Sequence, residues 1–298
     1  MQSEFRAIHL DLEDEHWWFR ARRRLITSLV TRACPDRNAD VLDVGCSSGA
    51  TLRSLTGLGY TRVQGIDISP EAIATCRQKG GADVTVGDAT AMPFASRSFD
   101  LLIATDVLEH IDEEERALRE WHRVLRPSGV LLVLVPAFPS LWGPHDAVNQ
   151  HRRRYRRAEL AERLRSAGFA LERMSYWNMC LFPMIAALRL ARGRLSRRQG
   201  VSDGATPRGD LHRSSAIGGA CLQAILALEN AALGLGLRLP FGLSLLADAR
   251  RRRDWVGVKD LGAGDELPSP ADGPLIRHPI CGRHSKSTGN TFLGRPKP

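Results

Sequence analysis

The residues best placed to do chemistry fall into two groups. The first lies in Asp40–Leu52, DVLDVGCSSGATL, where Asp43 precedes a turn of Gly45, Cys46, Ser47, Ser48 and Gly49. A strand that passes through such a turn into a helix faces backbone N–H groups toward a ligand, and glycine at 45 and 49 removes side chains that would block close approach. Asp67 follows about twenty residues later, where a carboxylate can accept both hydroxyl hydrogens of a ribose. Asp88 and Asp106 close two further short apolar runs. The second group is His145, Asp146, His151, Arg154 and Tyr155. A histidine held by a neighbouring carboxylate accepts a proton near neutral pH, which makes His145 and Asp146 the candidate catalytic pair. His151, Arg154 and Tyr155 are candidates for holding an anionic head group. The spacing of His145, Asp146 and His151 fits no zinc pattern, so no metal site is expected.

Strands and helices must alternate to bring the first group together. Apolar runs at Asp40–Val44, Arg62–Ile68, Asp83–Gly87, Phe99–Thr105 and Val130–Val135 read as strands. Ser69-Pro70-Glu71 is a helix start with serine as N-cap and proline at the first helical position, stopped by Gly80-Gly81. Asp112 with Glu115 three residues on reads as an acidic capping box opening a helix to about Leu125. Short connections between alternating elements give an α/β, doubly wound open sheet, whose ligands bind outside the strand carboxyl ends. Gly45, Asp67, Asp88 and Asp106 all fall at such ends, and that coincidence argues for one site.

In chain order, the segments VLDVGCSSG, GIDISPEAI, GDATAMPF, FDLLIATDVLEHI and LRPSGVLLVLVP cover Asp40–Pro136. As a set they resemble the class I S-adenosylmethionine-dependent methyltransferases of the small-molecule kind. The resemblance implies a Rossmann-like methyltransferase sheet, mostly parallel with an antiparallel last strand, and S-adenosyl-L-methionine as cofactor. It sets Gly45, Cys46, Ser47 and Gly49 beside the methionine portion and Asp67 on the ribose, with Ile68 beside the adenine. Asp88 then accepts from the adenine amino group and the Ala89 N–H donates to the ring, while Asp106 borders the site and Asp43 orders the glycine loop. The family usually has glycine where this chain has Ser47, which is small enough for the turn. An N-terminal helical segment lies over the pocket in this family. Here that segment, Asp11–Val30, carries Trp17, Trp18 and Phe19, and Trp18 is expected to offer a ring face to a sulfonium.

The remaining features bound the acceptor. The 298 residues carry a net charge of +9, with 43% hydrophobic content and six cysteines in no paired spacing. That cysteine usage reads as scattered thiols in a reducing cytoplasm. The first twenty residues have no continuous apolar core, and no run of eighteen apolar residues occurs, so neither a leader peptide nor a spanning helix is expected. Arginines cluster at Arg20–Arg24, Arg152–Arg157, Arg189–Arg198 and Arg250–Arg253, which favours anionic partners. Between a strand at Phe169–Trp177 and a last strand at Phe241–Ala249 lies a helical insertion, basic and amphipathic over Pro183–Leu195 and mostly apolar over Ile217–Leu237. A basic amphipathic helix suits an anionic membrane surface. The expected organisation is an N-terminal cap (1–35), a cofactor-binding domain (36–177 and 240–254), the insertion (178–239) and a disordered tail (255–298).

These features point to methyl transfer onto a small or amphipathic, lipid-like acceptor, in a cytoplasmic protein peripheral to the membrane. One alternative is a nucleic-acid or protein methyltransferase. Nucleic acid is disfavoured because aromatics are not interleaved with the C-terminal arginines as stacking platforms. The other is a non-catalytic membrane-interface scaffold with a cofactor-like fold.

Overall fold

The computed structural model describes residues 13–81, 83–187, 216–253 and 255, which all belong to one compact unit, 1–257. The expected tail beyond Trp255 and the middle of the expected insertion, 188–215, lie outside the described residues.

Seven strands form one sheet in the order β3-β2-β1-β4-β5-β7-β6. They are β1 (Asp40–Val44), β2 (Arg62–Asp67), β3 (Val84–Val86), β4 (Phe99–Thr105), β5 (Leu125–Pro136), β6 (Phe169–Trp177) and β7 (Ser244–Arg251). β1 to β5 pair in parallel, and β7 lies antiparallel to both β5 and β6. The last strand starts three residues later than the sequence predicts, at Ser244. Strand order reverses between β1 and β4, and a doubly wound sheet opens its ligand crevice at such a switch point. β5 runs through Pro127-Ser128-Gly129, where a turn is expected. A register shift against β4 absorbs the extra residues, with Ser128 at φ 66°, as a β-bulge does.

Helices cover both faces. α1 (Trp17–Ala33), α2 (Ala50–Gly57), α3 (Pro70–Gln78), α4 (Glu114–Val124), α5 (Pro144–Val148), α6 (Arg157–Ser166) and α7 (Ala216–Gly234) complete the element order. On one face, Trp121 and Leu118 of α4 and Leu160 and Leu164 of α6 pack against Leu102, Leu131 and Val133. On the other, Leu25, Ile26 and Leu29 of α1 and Leu226 and Leu233 of α7 pack against Leu101, Ile103 and Leu132. Strands buried on both faces read as continuous apolar runs, as Val130–Val135 does.

Two predicted helix starts fare differently. Ser69 caps α3, its Oγ accepting from Ala72 N at 3.2 Å. The capping box at Asp112 does not form, and α4 begins at Glu114 with no side-chain cap. Glu114 is buried and committed to tertiary partners: Arg153 at 2.6 Å, Arg163 at 2.5 Å and the Tyr155 hydroxyl at 2.7 Å. α1 also starts late, at Trp17, because His16 caps it with Nδ1 facing Trp18 N at 3.4 Å.

The polar residues of the apolar helix α7 are tethers. Asn230 donates to the Ala21 carbonyl at 2.8 Å and accepts from Trp177 Nε1 at 2.9 Å. Glu229 accepts from the backbone N–H groups of Asn178, Met179 and Cys180, fixing the chain just before a helix that begins at 182. Among the described residues, no helix is long and apolar enough to cross a membrane, and the five described cysteines are free thiols.

Candidate functional site

A cavity of about 540 Å³ opens over the carboxyl ends of β1, β2, β3 and β4, inside the size range of small-molecule sites. Gly45, Ser47, Asp67, Ile68, Asp88, Ala89, Asp106 and Trp18 all line it, as do His145, His151 and Arg154. Four strand ends therefore converge as the sequence requires. Five expected site residues do not line it. Asp43 lies behind the glycine turn, Cys46 and Gly49 are buried members of it, and Asp146 and Tyr155 are buried in the wall.

The turn itself departs from expectation. Its N–H groups do not face the cavity: Gly45 N and Cys46 N both donate to Ile66 O, at 2.8 and 3.1 Å. Ser47 N donates to Asp67 Oδ2 at 3.1 Å and Ser48 N to Glu13 Oε2 at 3.1 Å. β2 and the segment before α1 thus consume donors that would otherwise hold a ligand, and the turn is rigid in return. Ser47 lies at φ 49°, in the left-handed region where glycine costs nothing and serine is strained. That geometry explains the family's usual glycine at this position. Gly45, at φ 70°, also needs its missing side chain, because a Cβ there would run into Val107 Cγ2.

Asp67 is oriented before any ligand arrives. Its Oδ1 accepts from Ser69 N at 2.8 Å while Oδ2 holds Ser47 N. Asp88 makes a local turn with Thr90 N at 2.7 Å. Asp43 is buried one layer down. Burial, then the nearby Glu13 charge, pushes its carboxyl up to about 8.

Above the turn, α1 supplies an aromatic and cationic wall. Trp17, Trp18, Phe19 and Arg22 line the cavity. The Arg22 guanidinium lies 4.7 Å from the Trp18 ring centre and 5.2 Å from that of Phe19, and its Nη1 meets Asp106. Asp106 holds φ 54°, a strained conformation for a non-glycine residue.

The proposed catalytic pair is not a pair. Successive helical residues point about 100° apart, so His145 on α5 faces the cavity while Asp146 turns inward. Asp146 accepts from Gly143 N, His151 Nδ1 and Arg154 Nε, each at 2.8 Å. Burial alone would raise this carboxyl, but the His151 and Arg154 partners outweigh it and hold the group well below the usual carboxylate range. The carboxylate-held histidine is therefore His151. Arg154 spends its guanidinium on Asp146 and on the Ala137 carbonyl at 3.0 Å. Tyr155 is fully buried, bonded to Glu114, and burial with that carboxylate raises its hydroxyl beyond the titrating range.

Several further residues line the cavity, most without a sequence signal; His110 is a candidate base or substrate contact in the sequence, with a helix-start role favoured. Glu13, His16, His110, Asn149, Gln150 and Asn178 border the cavity. Glu13 is an isolated acid ahead of a helix and carries no pattern. His110 stands in the DVLEHI run, where a local role at the helix start is the ordinary reading. Its ring packs edge-on against His151, centres 4.8 Å apart, and burial, then His151, lowers it to about 4. It is neutral at neutral pH and able to accept a proton.

Residues 42–133 match the family described as a methyltransferase domain. A Mycolicibacterium smegmatis protein named "Probable S-adenosylmethionine-dependent methyltransferase" is 32% identical over 164 residues, 54% of this chain and 62% of that protein. A demethylmenaquinone methyltransferase of Chlorobaculum parvum is 31% identical over 105 residues, 35% of this chain and 44% of that protein. A malonyl-(acyl-carrier protein) O-methyltransferase of Enterobacter lignolyticus is 36% identical over 121 residues, 40% of this chain and 48% of that protein. The chain thus spans about half the length of these relatives. Among solved structures, one chain of a Haloferax volcanii complex that holds the Trm112 methyltransferase activator shares the fold. Its TM-score is 0.55 at 20% identity, over 85% of this chain and 96% of that one. Sequence match, strand order and the convergence of strand ends agree: the chain carries a class I S-adenosylmethionine-dependent methyltransferase domain.

Proposed function

We propose that this chain transfers the methyl group of S-adenosyl-L-methionine to a small or amphipathic, lipid-like acceptor. The observation that carries the reading is the convergence of Asp67, Asp88 and Asp106 on one cavity roofed by Trp17, Trp18 and Phe19. The residues fit the cofactor's chemistry. Asp67 takes the ribose hydroxyls, Asp88 takes the adenine amino group and the Trp18 face meets the positive sulfonium. The Arg22–Asp106 pair offers one charge of each sign, and an α-amino acid zwitterion inserts between them with its carboxylate on Arg22 and its ammonium on Asp106. The cofactor supplies an already activated methyl group. The protein then contributes orientation and exclusion of water, and a base only where the acceptor must lose a proton.

The acceptor class rests on two supports. The relatives above are named for demethylmenaquinone and for malonyl-(acyl-carrier protein). In addition, α7 turns Cys221, Ala224, Ile225, Leu228 and Ala231 outward, with Leu235 just past its end, an uncharged stripe with Leu228 76% and Leu235 86% exposed. With Met184 and Phe241 also exposed, this surface suits peripheral contact with an anionic membrane. The test is transfer of labelled methyl from the cofactor into a fractionated cell extract, with liposome sedimentation alongside. Label in a lipid-soluble fraction and binding to anionic vesicles are expected. Absence of both refutes the acceptor class, and label in no fraction refutes the activity.

A further inference from the structure

We propose that Glu109, His110 and His151 form a binding site for a divalent transition-metal ion at the edge of the same cavity, which His110 and His151 line and buried Glu109 backs. One ligand atom from each lies within 4.8 Å of the other two. Two imidazoles and one carboxylate are the donor set of catalytic zinc and of facial non-haem iron sites. Coordination at about 2.0–2.2 Å with tetrahedral or octahedral angles sets ligand atoms about 3.0–3.6 Å apart, so ligation draws the three together by about an ångström or more.

The strongest observation is Glu109. It is completely buried, and neither carboxylate oxygen has a hydrogen-bond partner. A buried carboxylate without a partner is costly, and a metal ion beside it removes that cost. Each histidine is also turned for ligation by a second contact. His151 holds Asp146 Oδ1 through Nδ1 at 2.8 Å, which leaves Nε2 for the ion. Asp146 is itself fixed by Arg154 at 2.8 Å, giving the carboxylate–histidine–metal arrangement of built metal sites. His110 hydrogen-bonds the Gln150 backbone through its ring, leaving its other nitrogen for the ion. Gln150 is held at φ 57° with its N–H on Ala147 O at 3.1 Å. The backbone also ties the two halves of the triad, since Arg152 N donates to Glu109 O at 2.7 Å.

Three protein ligands leave positions open for water or an acceptor oxygen. Imidazole nitrogens favour zinc, cobalt or iron over magnesium or calcium. On the methyl-transfer reading, on which this part rests, the ion binds an acceptor hydroxyl oxygen and lowers its pKa, so its proton leaves to bulk water before methylation.

The probe is Co²⁺ added to the metal-stripped full chain without cofactor, followed by its visible absorption and by equilibrium dialysis. One tight equivalent per chain with ligand-field bands is expected, displaced by Zn²⁺. His110→Ala and His151→Ala should each weaken binding at least about 100-fold, and Asp146→Asn, acting through His151, about 10- to 100-fold. His145→Ala, outside the triad, should leave it unchanged. Circular dichroism and S-adenosylmethionine affinity, read on the same samples, separate misfolding and failure of the methyl-transfer reading from failure of the metal site. No bands in the wild-type chain, or bands that survive both triad histidine substitutions, overturn the proposal.

Discussion

Replacing Asp67 by asparagine isolates the most informative interaction in the cavity. The carboxylate already accepts from Ser69 N at 2.8 Å and Ser47 N at 3.1 Å, so its position does not change when ribose hydroxyls add to it. Hydrogen bonds to a charged acceptor contribute about 1.5–3 kcal/mol each and neutral ones about 0.5–1.5. Asparagine keeps the shape and one acceptor oxygen, but its amide nitrogen cannot accept from either a hydroxyl or a backbone N–H. One charged bond is lost and the other becomes neutral, a net loss of about 2.5–4.5 kcal/mol, or roughly 60- to 1,600-fold in Kd. Isothermal titration with S-adenosylmethionine reads this directly. The ligand-free variant should also melt earlier, because either Ser47 N–H or Ser69 N–H then faces an amide donor. A Kd within threefold of wild type, in a chain that still folds, would refute the placement of the ribose.

Three other substitutions test separate parts of the account. Glu13→Ala removes the acceptor of Ser48 N–H and should weaken cofactor binding about tenfold, read by the same titration; an unchanged Kd would make Glu13 a bystander. Tyr155→Phe takes the hydroxyl from Glu114 and should cost about 1–2 kcal/mol in urea unfolding while leaving KM for the acceptor unchanged. His122 packs against Phe169 and Trp255, and burial, then Arg251, lowers its pKa from 6.5 to about 4. The unfolded chain therefore binds a proton first, so stability present above pH 6.5 is lost as pH falls toward 4, by up to about 3 kcal/mol. Urea melts across that interval should show the loss, and His122→Gln should flatten it.

The fold was legible because its signals are local and repeated. Apolar runs that end in Asp67, Asp88 and Asp106, with a glycine turn at Gly45–Gly49, dictate a parallel sheet and the end at which its ligand sits. What escaped depends on which way a side chain turns. His145 and Asp146 are adjacent in sequence and diverge on a helix, so the carboxylate serves His151 instead. Tyr155 and Glu114 meet across 41 residues, and Glu13 reaches Ser48 across 35; neither separation leaves a periodic trace. The turn's donors looked available to a ligand because sequence shows N–H groups but not the Ile66 carbonyl that takes two of them. Glu229 and Asn230 read as interruptions of an apolar helix, whereas they fasten α7 to Asn178 and Ala21.

The most direct test of the central claim is a crystal structure of the chain soaked with S-adenosylmethionine. The account predicts the ribose on Asp67, the adenine between Ile68 and Asp88, and the sulfonium facing Trp18 with its methyl group directed into the remaining cavity. Ligand bound elsewhere, or a cavity left without ligand at saturating concentration, would contradict it.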